Sequence, residues 1–322
     1  MATMRDGVER FGDRMAALAL VRPKQPETLP VRITRKRIYV LPTGFGLFIA
    51  AILATMLVGG LNYNNNPALL LVFLLAGAAH NSLVHAHLII SGVRLRALHA
   101  DSVFAGQAMR LKLRFDADGA RERPGLELLC GPARNQFELA ASEESEIVLE
   151  LPTHRRGWLE LPRLRLSTLR PFGLARAWSW LRPDTRLLVY PALDPEAPSL
   201  PDALGDGDSP RTRAHGEQPH HLREYRPGDM PRQIAWKASA RADRLLVREY
   251  ESAIAREIEL DWQKLPNLPH EARIRRLARW VVEAERSGCR YGLRLPGWQL
   301  PPGRGPEHRH ACLRALALMP DG

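Results

Sequence analysis

The densest run of chemistry-bearing side chains lies between residues 220 and 251. It opens on the pair His220-His221 and continues Leu222-Arg223-Glu224-Tyr225-Arg226-Pro227-Gly228-Asp229-Met230-Pro231-Arg232-Gln233-Ile234-Ala235-Trp236-Lys237-Ala238-Ser239-Ala240-Arg241. It closes on Leu245-Leu246-Val247-Arg248-Glu249-Tyr250-Glu251. A serine near histidines is the raw material of nucleophilic catalysis, in which a base takes the hydroxyl proton and a third group orients the base. Ser239 has no G-x-S-x-G elbow around it, and neither histidine has an evident orienting partner. No catalytic residue is expected here, and the chain is not read as an enzyme. The interleaved Arg and acidic positions instead make internal ion pairs easy to form, and an Arg/aromatic surface suits protein docking.

These residues need a scaffold that the local sequence supplies. Pro227-Gly228 is a turn. Asp229 can cap a short helix that tolerates Pro231 in its first turn, with Ile234, Trp236 and Ala240 as apolar anchors. Arg244 to Glu251 alternates as a strand does. The order strand, capped turn, short helix, strand is expected.

Other ligand-type residues fare less well. His80 with His85-x-His87, and His308-x-His310, each fall short of the three converging ligands that a metal wants. The three cysteines, Cys130, Cys289 and Cys312, are far apart and form no C-x-x-C. That excludes a disulfide scaffold and a thiolate zinc site, and fits a reducing compartment. No metal and no cofactor are expected.

The chain has 322 residues, 46 Lys/Arg against 35 Asp/Glu, a formal charge of +11 and a normal hydrophobic share of 45%. This excludes a disordered or collagen-like chain and suggests about two folded domains. Two apolar stretches stand out. Residues 43–61 carry no charge and are long enough, at about 1.5 Å per residue, to cross the hydrocarbon layer. Residues 67–84 follow after the Asn-rich turn 62–66, with Asn66 expected as N-cap and Pro67 as first helical residue. A two-helix transmembrane hairpin is predicted. A cleaved signal peptide is rejected, since about forty residues precede the first stretch and a second follows.

Arg32, Arg35, Lys36 and Arg37 precede the first span, Arg94 and Arg96 follow the second, and the turn has no basic residue. By the distribution of basic residues, both termini face the cytoplasm, and in a bacterium the membrane is the inner one. The basic segment 1–42 has Val8, Phe11, Met15 and Leu18 at helical spacing, as a lipid-lying segment would. No zinc finger, RNP-type motif or helix-turn-helix pattern supports nucleic-acid binding.

After the spans the period changes to two. Met109–Phe115, Leu126–Cys130, Glu146–Leu151, Trp158–Leu166 and Arg186–Tyr190 read as strands, separated by turns at Asp118-Gly119, Arg123-Pro124-Gly125, Gly131-Pro132 and Arg170-Pro171-Phe172-Gly173. A β-sandwich over 88–192 is expected, with Arg155, Arg156 and Arg163 on a solvated face. Residues 194–219, rich in Pro, Gly and Asp, read as a flexible linker or loop. Residues 256–322 alternate strand (257–260), helix (269–287), strand (290–295) and helix (307–319), as a small α/β module would.

The 220–251 run resembles the signature of the DUF58 family of bacterial membrane proteins, R-E-Y-x-P-G-D-x-x-R-x-I-x-W-x-x-S-A-R followed by L-x-V-R-E-Y-E. Arg223, Glu224, Tyr225, Pro227, Gly228, Asp229, Arg232, Ile234, Trp236, Ser239, Ala240, Arg241, Leu245, Val247, Arg248 and Glu249 all occupy its fixed positions. The hairpin and the strand-rich region that follows look like this family too. The resemblance implies a membrane partner of a MoxR-type AAA+ ATPase and of a transglutaminase-like membrane protein, in an assembly or maturation system.

The last module resembles the opening half of a von Willebrand factor A-type domain. It is too short for the whole fold, and Asp261 is followed by Trp262, Gln263, Lys264 and Leu265 where that fold's metal site needs Asp-x-Ser-x-Ser. The expected function is therefore an inner-membrane scaffold or adaptor that docks protein partners. Arg223 to Asp229, Arg232, Trp236, Ser239, Arg241, Arg248 and Glu249 form the expected docking signature, and Arg226 joins Asp229, Arg232, Trp236 and Arg241 as the positions expected to matter most. A membrane-anchored enzyme of cell-envelope metabolism, with an unrecognised active site, is the alternative.

Overall fold

In the computed structural model, residues 25–119, 121–201, 219–225, 235–236, 239–240, 245–250 and 257–320 are described. The chain divides into two units, residues 1–190 and 191–322.

The first unit begins with strand β1 (Val31–Arg32) and strand β2 (Tyr39–Pro42). Helices α1 (Gly44–Asn62) and α2 (Asn66–Ile90) follow. Both are long and apolar enough to cross a membrane, and only 6% and 11% of their apolar windows are buried, where a core helix would be mostly covered. The pair fits an integral membrane protein.

Thr43 caps α1. Its hydroxyl accepts from Gly46 N at 3.0 Å and donates to Gly173 O at 2.6 Å, while its own N–H bonds Leu174 O at 2.9 Å. The helix thus starts as a hydrogen-bonded extension of the strand domain. Asn65, one residue before the expected Asn66, is the N-cap of α2, accepting from Ala68 N at 3.1 Å.

Helix α2 also runs to Ile90, six residues beyond the end expected from its apolar composition, because Ala86, Ile89 and Ile90 are buried in the core of the strand domain. The strands after it are β3 (Val93–Ala100), β4 (Val103–Phe104), β5 (Ala108–Ala117), β6 (Arg123–Cys130), β7 (Ala133–Leu139), β8 (Ser145–Pro152), β9 (Gly157–Glu160), β10 (Leu164–Thr168), β11 (Ala175–Leu181) and β12 (Arg186–Tyr190). They form sheets in the orders β1-β3-β5-β8, β2-β11-β10-β6-β7 and β4-β12-β9. The first two are antiparallel throughout.

Alternation supplies the shared core, with Met109, Leu111, Leu113 and Phe115 of β5 buried together with Leu126 and Leu128 of β6 and Leu164 and Leu166 of β10. The strand expected over 158–166 is two strands in different sheets, β9 and β10, parted around Pro162, whose ring nitrogen cannot donate to a ladder. Residues 31–42, expected within a basic leader, supply a strand to each of the two large sheets.

Three arginines of this unit gather around one buried carboxylate and its neighbour. Asp116 receives Arg94 Nε at 3.0 Å and Nη2 at 2.8 Å, and Arg96 Nε at 2.7 Å. Arg94 also reaches Asp118 at 2.9 Å, and Asp118 meets Arg32 at 2.5 Å. Burial alone would raise the Asp116 pKa, but the hydrogen bonds and charges of the two arginines hold it below the ordinary carboxylate value.

The second unit has hairpin β13 (Pro219–Glu224) with β14 (Leu246–Tyr250), then β15 (Glu257–Asp261), α3 (His270–Arg286), β16 (Arg290–Leu295), β17 (Trp298–Gly303) and α4 (Pro306–Ala317). β15 and β16 are parallel, with α3 as their crossover, and β17 adds antiparallel to β16. Strand β17 is absent from the sequence reading because Pro301 and Pro302 argue against a strand; it lies at the sheet edge, where proline is tolerated.

Helix α3 buries Ile274, Leu277, Ala278 and Val281. It is tied to the segment after residue 190 by Arg276 Nε to Asp194 Oδ2 at 2.6 Å and by Trp280 Nε1 to Pro198 O at 2.9 Å. Residues 194–198 are therefore held against a helix, at the start of what reads as a linker by composition. Cys130, Cys289 and Cys312 are free and buried.

Candidate functional site

The signature run folds around an antiparallel hairpin. His221 lies opposite Glu249, Leu222 opposite Arg248, Arg223 opposite Val247 and Glu224 opposite Leu246, with a bulge between Pro219 and His221. Tyr225 N–H extends the pairing to Leu245 O at 2.9 Å. Strand β14 then does double duty, since Leu246 O also accepts from Ala235 N at 2.8 Å.

A single hydroxyl fastens the short helical segment to this strand. Ser239 is buried; its Oγ accepts from Leu246 N at 2.9 Å and donates to Leu246 O at 3.4 Å. Its own N–H bonds Ala235 O at 2.9 Å, one helical turn back. The hydroxyl that sequence motifs would consider for nucleophilic attack is thus occupied on both its donor and acceptor sides. Ser239 positions the fold.

Helical spacing then decides which residues face out. Ala235 and Ser239, four apart, are buried on one face, while Trp236 and Ala240, about 100° further round the helix, are exposed. Trp236 is 63% exposed. This corrects the expectation that Trp236 and Ala240 are apolar anchors. The true anchors are the small residues Ala235 and Ser239, which let the segment sit directly on the backbone of Leu246. Tyr225 and Leu245, joined by their backbone hydrogen bond, are also exposed, at 37% and 46%. Three large apolar side chains in one short motif are thus left uncovered; Leu245, read as a fixed position of the signature, was not among the residues expected to dock a partner.

Of the other signature positions, Arg223, Glu224, Arg248 and Glu249 lie on the two strands. Arg226, Pro227, Gly228, Asp229, Arg232, Ile234 and Arg241 lie outside the described residues.

Two of the residues considered as metal ligands, Asp261 and His308, are engaged elsewhere. Asp261 Oδ1 accepts from Gln263 N at 2.9 Å, capping a turn of 3-10 helix, and its Oδ2 faces Arg294 Nη1 at 3.8 Å. His308 Nε2 donates to Tyr291 O at 2.7 Å, and the two rings meet edge to face at 4.8 Å. Among the described residues no three His, Cys, Asp or Glu side chains are grouped as a metal would require.

Residues 221–265 match the family described as "Protein of unknown function DUF58". The chain is also 25% identical over 176 residues to "Uncharacterized protein YeaD" of Bacillus subtilis (strain 168). The matched segment spans 52% of this chain and 44% of that protein's length.

Proposed function

We propose, from the chain's membership of the DUF58 family, that it is a membrane-anchored scaffold whose signature hairpin docks a protein partner. The observation that carries this reading is the 63% exposure of Trp236, on the outer face of a segment whose inner face is fixed by Ser239. A tryptophan is a costly residue to leave in water, and rigid exposed aromatics are the commonest anchors of protein interfaces. Tyr225 and Leu245 are two further exposed apolar side chains of the same motif.

The partner on this reading is a MoxR-type AAA+ ATPase, with a transglutaminase-like membrane protein in the same assembly. The hairpin α1–α2 crosses the bacterial inner membrane, and both termini lie in the cytoplasm. Pairing of Arg32, Arg94 and Arg96 with aspartates does not weaken that orientation, because it follows the placement of basic residues and not net charge. The β15–α3–β16 crossover corresponds to half of a von Willebrand A-type domain, used as support for the hairpin. The enzyme alternative gains nothing from Ser239, whose hydroxyl is committed to Leu246.

The test is co-purification of the full chain, from detergent-solubilised membranes, with the MoxR-type ATPase in the presence of nucleotide. The wild type is expected to retain the ATPase, and a Trp236→Ala variant with unchanged thermal stability is expected to lose it. Absence of the ATPase from folded wild type, or equal retention by the variant, overturns the reading.

A further inference from the structure

At the end of α2 furthest from the Asn-rich turn lies a cavity of about 510 Å³. Its charged lining is Arg32, Arg35, Arg121 and Arg123 against one carboxylate, Asp118. That carboxylate is already spent, since it pairs with Arg32 at 2.5 Å and with Arg94 at 2.9 Å. Arg35 and Arg121 form no ion pair among the described residues.

Arg123 is 5% exposed and sits in the cavity wall with its guanidinium held by backbone carbonyls of α2, leaving its Nε without a hydrogen-bond partner. Burial, and after it the nearby Arg121 cation, push the Arg123 pKa below the ordinary arginine value. Positive charge is thus concentrated here beyond what the protein neutralises. A site that gathers guanidinium groups of this kind suits a phosphate, whose oxygens match their planar forks.

The depth of the cavity says where such an anion would come from. On the proposed reading that α1 and α2 cross the membrane, Val84, the last large apolar side chain of α2 that is substantially exposed (45%), stands at the edge of the lipid-facing surface. Leu88 and Ser91, which line the cavity, lie four and seven residues further along, about 6 and 10 Å at the helical rise of about 1.5 Å per residue. The headgroup zone extends roughly 5–7 Å beyond the hydrocarbon on each side. The cavity therefore lies at, or just past, the level of lipid phosphates. Gly92 and Gly119 complete its wall, both at positive φ, and the absence of side chains there keeps the cavity open beside Asp118 and Arg123.

We propose that this cavity is a binding site for a phosphate-bearing anion at the membrane surface, with Arg35 and Arg121 as its free ligands and Arg32 and Arg123 as its fixed positive wall. An anionic lipid headgroup and free phosphate share this chemistry.

Both sources can be probed on the full chain in detergent micelles, by thermal shift and by native mass spectrometry. One arm adds phosphatidic acid, with phosphatidylcholine as comparator, and the other adds inorganic phosphate. Wild type is expected to be stabilised by, and to retain, at least one of the two anions. Retention of phosphatidic acid alone identifies the ligand as a lipid headgroup, and a matching response to inorganic phosphate identifies a free anion. An Arg35→Ala/Arg121→Ala variant should unfold as wild type does without ligand, and should bind the anion roughly tenfold or more weakly, having lost two charge-assisted contacts. Arg35→Lys/Arg121→Lys should recover part of the affinity. Arg110→Ala/Arg114→Ala, which removes equal charge from strand β5, should bind like wild type. The proposal fails if neither anion binds wild type, if the Arg35/Arg121 variant binds like wild type, or if the strand β5 variant loses binding equally.

Discussion

The guanidinium of Arg123, at the first residue of β6, donates to the carbonyl of Ile89 in the last turn of α2 at 2.7 Å. The same Nη1 reaches Leu88 O at 2.8 Å and Ser91 O, and Nη2 reaches Asp118 O at 3.2 Å. A helix ends with four carbonyls that have no partner in the helix, and its C-terminus carries partial negative charge. Arg123 answers both needs with one side chain, from a strand more than thirty residues away. It joins the apolar hairpin to the sheets at one corner, as Thr43 joins it at the other.

Replacing Arg123 by Ala should therefore destabilise the chain by about 3 kcal/mol, since several carbonyls at the end of α2 lose their donor together. Arg123→Lys should recover less than half of that, because an ammonium lacks the planar fork. The midpoint of thermal unfolding in detergent measures both. An unchanged midpoint for Arg123→Ala would remove the capping role.

The second corner is tested by two glycines of α1. A Cβ on Gly46 would lie 1.9 Å from Leu174 O, a backbone atom that cannot swing aside, whereas one on Gly59 meets nothing within 4 Å. Gly46→Ala should cost roughly 1–3 kcal/mol through forced displacement of the 173–174 segment. Gly59→Ala should be neutral or slightly stabilising, as alanine suits a helix better than glycine. Equal unfolding midpoints for the two variants would contradict this contact.

Asp116 gives a pH dependence of known sign. Its folded pKa is lowered, so its stabilisation is fully present above its unfolded value of about 4 and is lost as pH falls through the folded pKa. Stability of the wild type should thus fall on acidification below about pH 4. Asp116→Asn should lack that component and, at pH 7, should be less stable by about 1–3 kcal/mol, because Arg94 and Arg96 lose the charge between them but stay partly solvated. Parallel denaturation profiles of the two proteins between pH 3 and pH 5, both roughly at the unfolded carboxylate pKa, would refute the assignment.

Within the signature, stability and exposure separate cleanly. Ser239→Ala leaves Leu246 N–H buried without its partner and should cost about 1–3 kcal/mol. Trp236→Ala removes an exposed ring and should change stability by less than about 0.5 kcal/mol. Thermal melts of the two variants decide, and a large loss in Trp236→Ala would show that the ring is a fold element after all.

What could be read from the sequence was whatever follows from local periodicity. The α1 and α2 spans announce themselves through runs free of charge, and β5 through its strict alternation from Met109 to Phe115. The last turns of α2 were not legible. Residues 85–90 are neither long nor apolar enough to signal continuation, and it is burial by the sheets and capping by Arg123 that hold them helical. The same holds for Arg123, whose position beside Pro124-Gly125 reads as an ordinary turn residue, since nothing local points to a carbonyl at residue 89. In the signature, composition located the motif but inverted its faces: a tryptophan suggests burial, whereas the hydrogen bonds between Ser239 and Leu246 bury the alanine and the serine and turn the ring outward.

The hairpin interrupts the strand domain. Strands β1 and β2 precede it, yet Val31 pairs with Leu95 and Tyr39 with Trp178, both beyond it. Neither large sheet can be completed until the chain has gone out through α1 and come back through α2. Any bilayer that these helices cross must therefore see both flanks on one face, and one unpaired crossing would tear both sheets apart. Assembly has an imposed order: the first two strands emerge from synthesis without partners and wait until the hairpin has been made. In that interval their open edges and the apolar side chains of Val31 and Ile33 are exposed, which makes residues 31–42 the segment of the nascent strand domain most in need of protection.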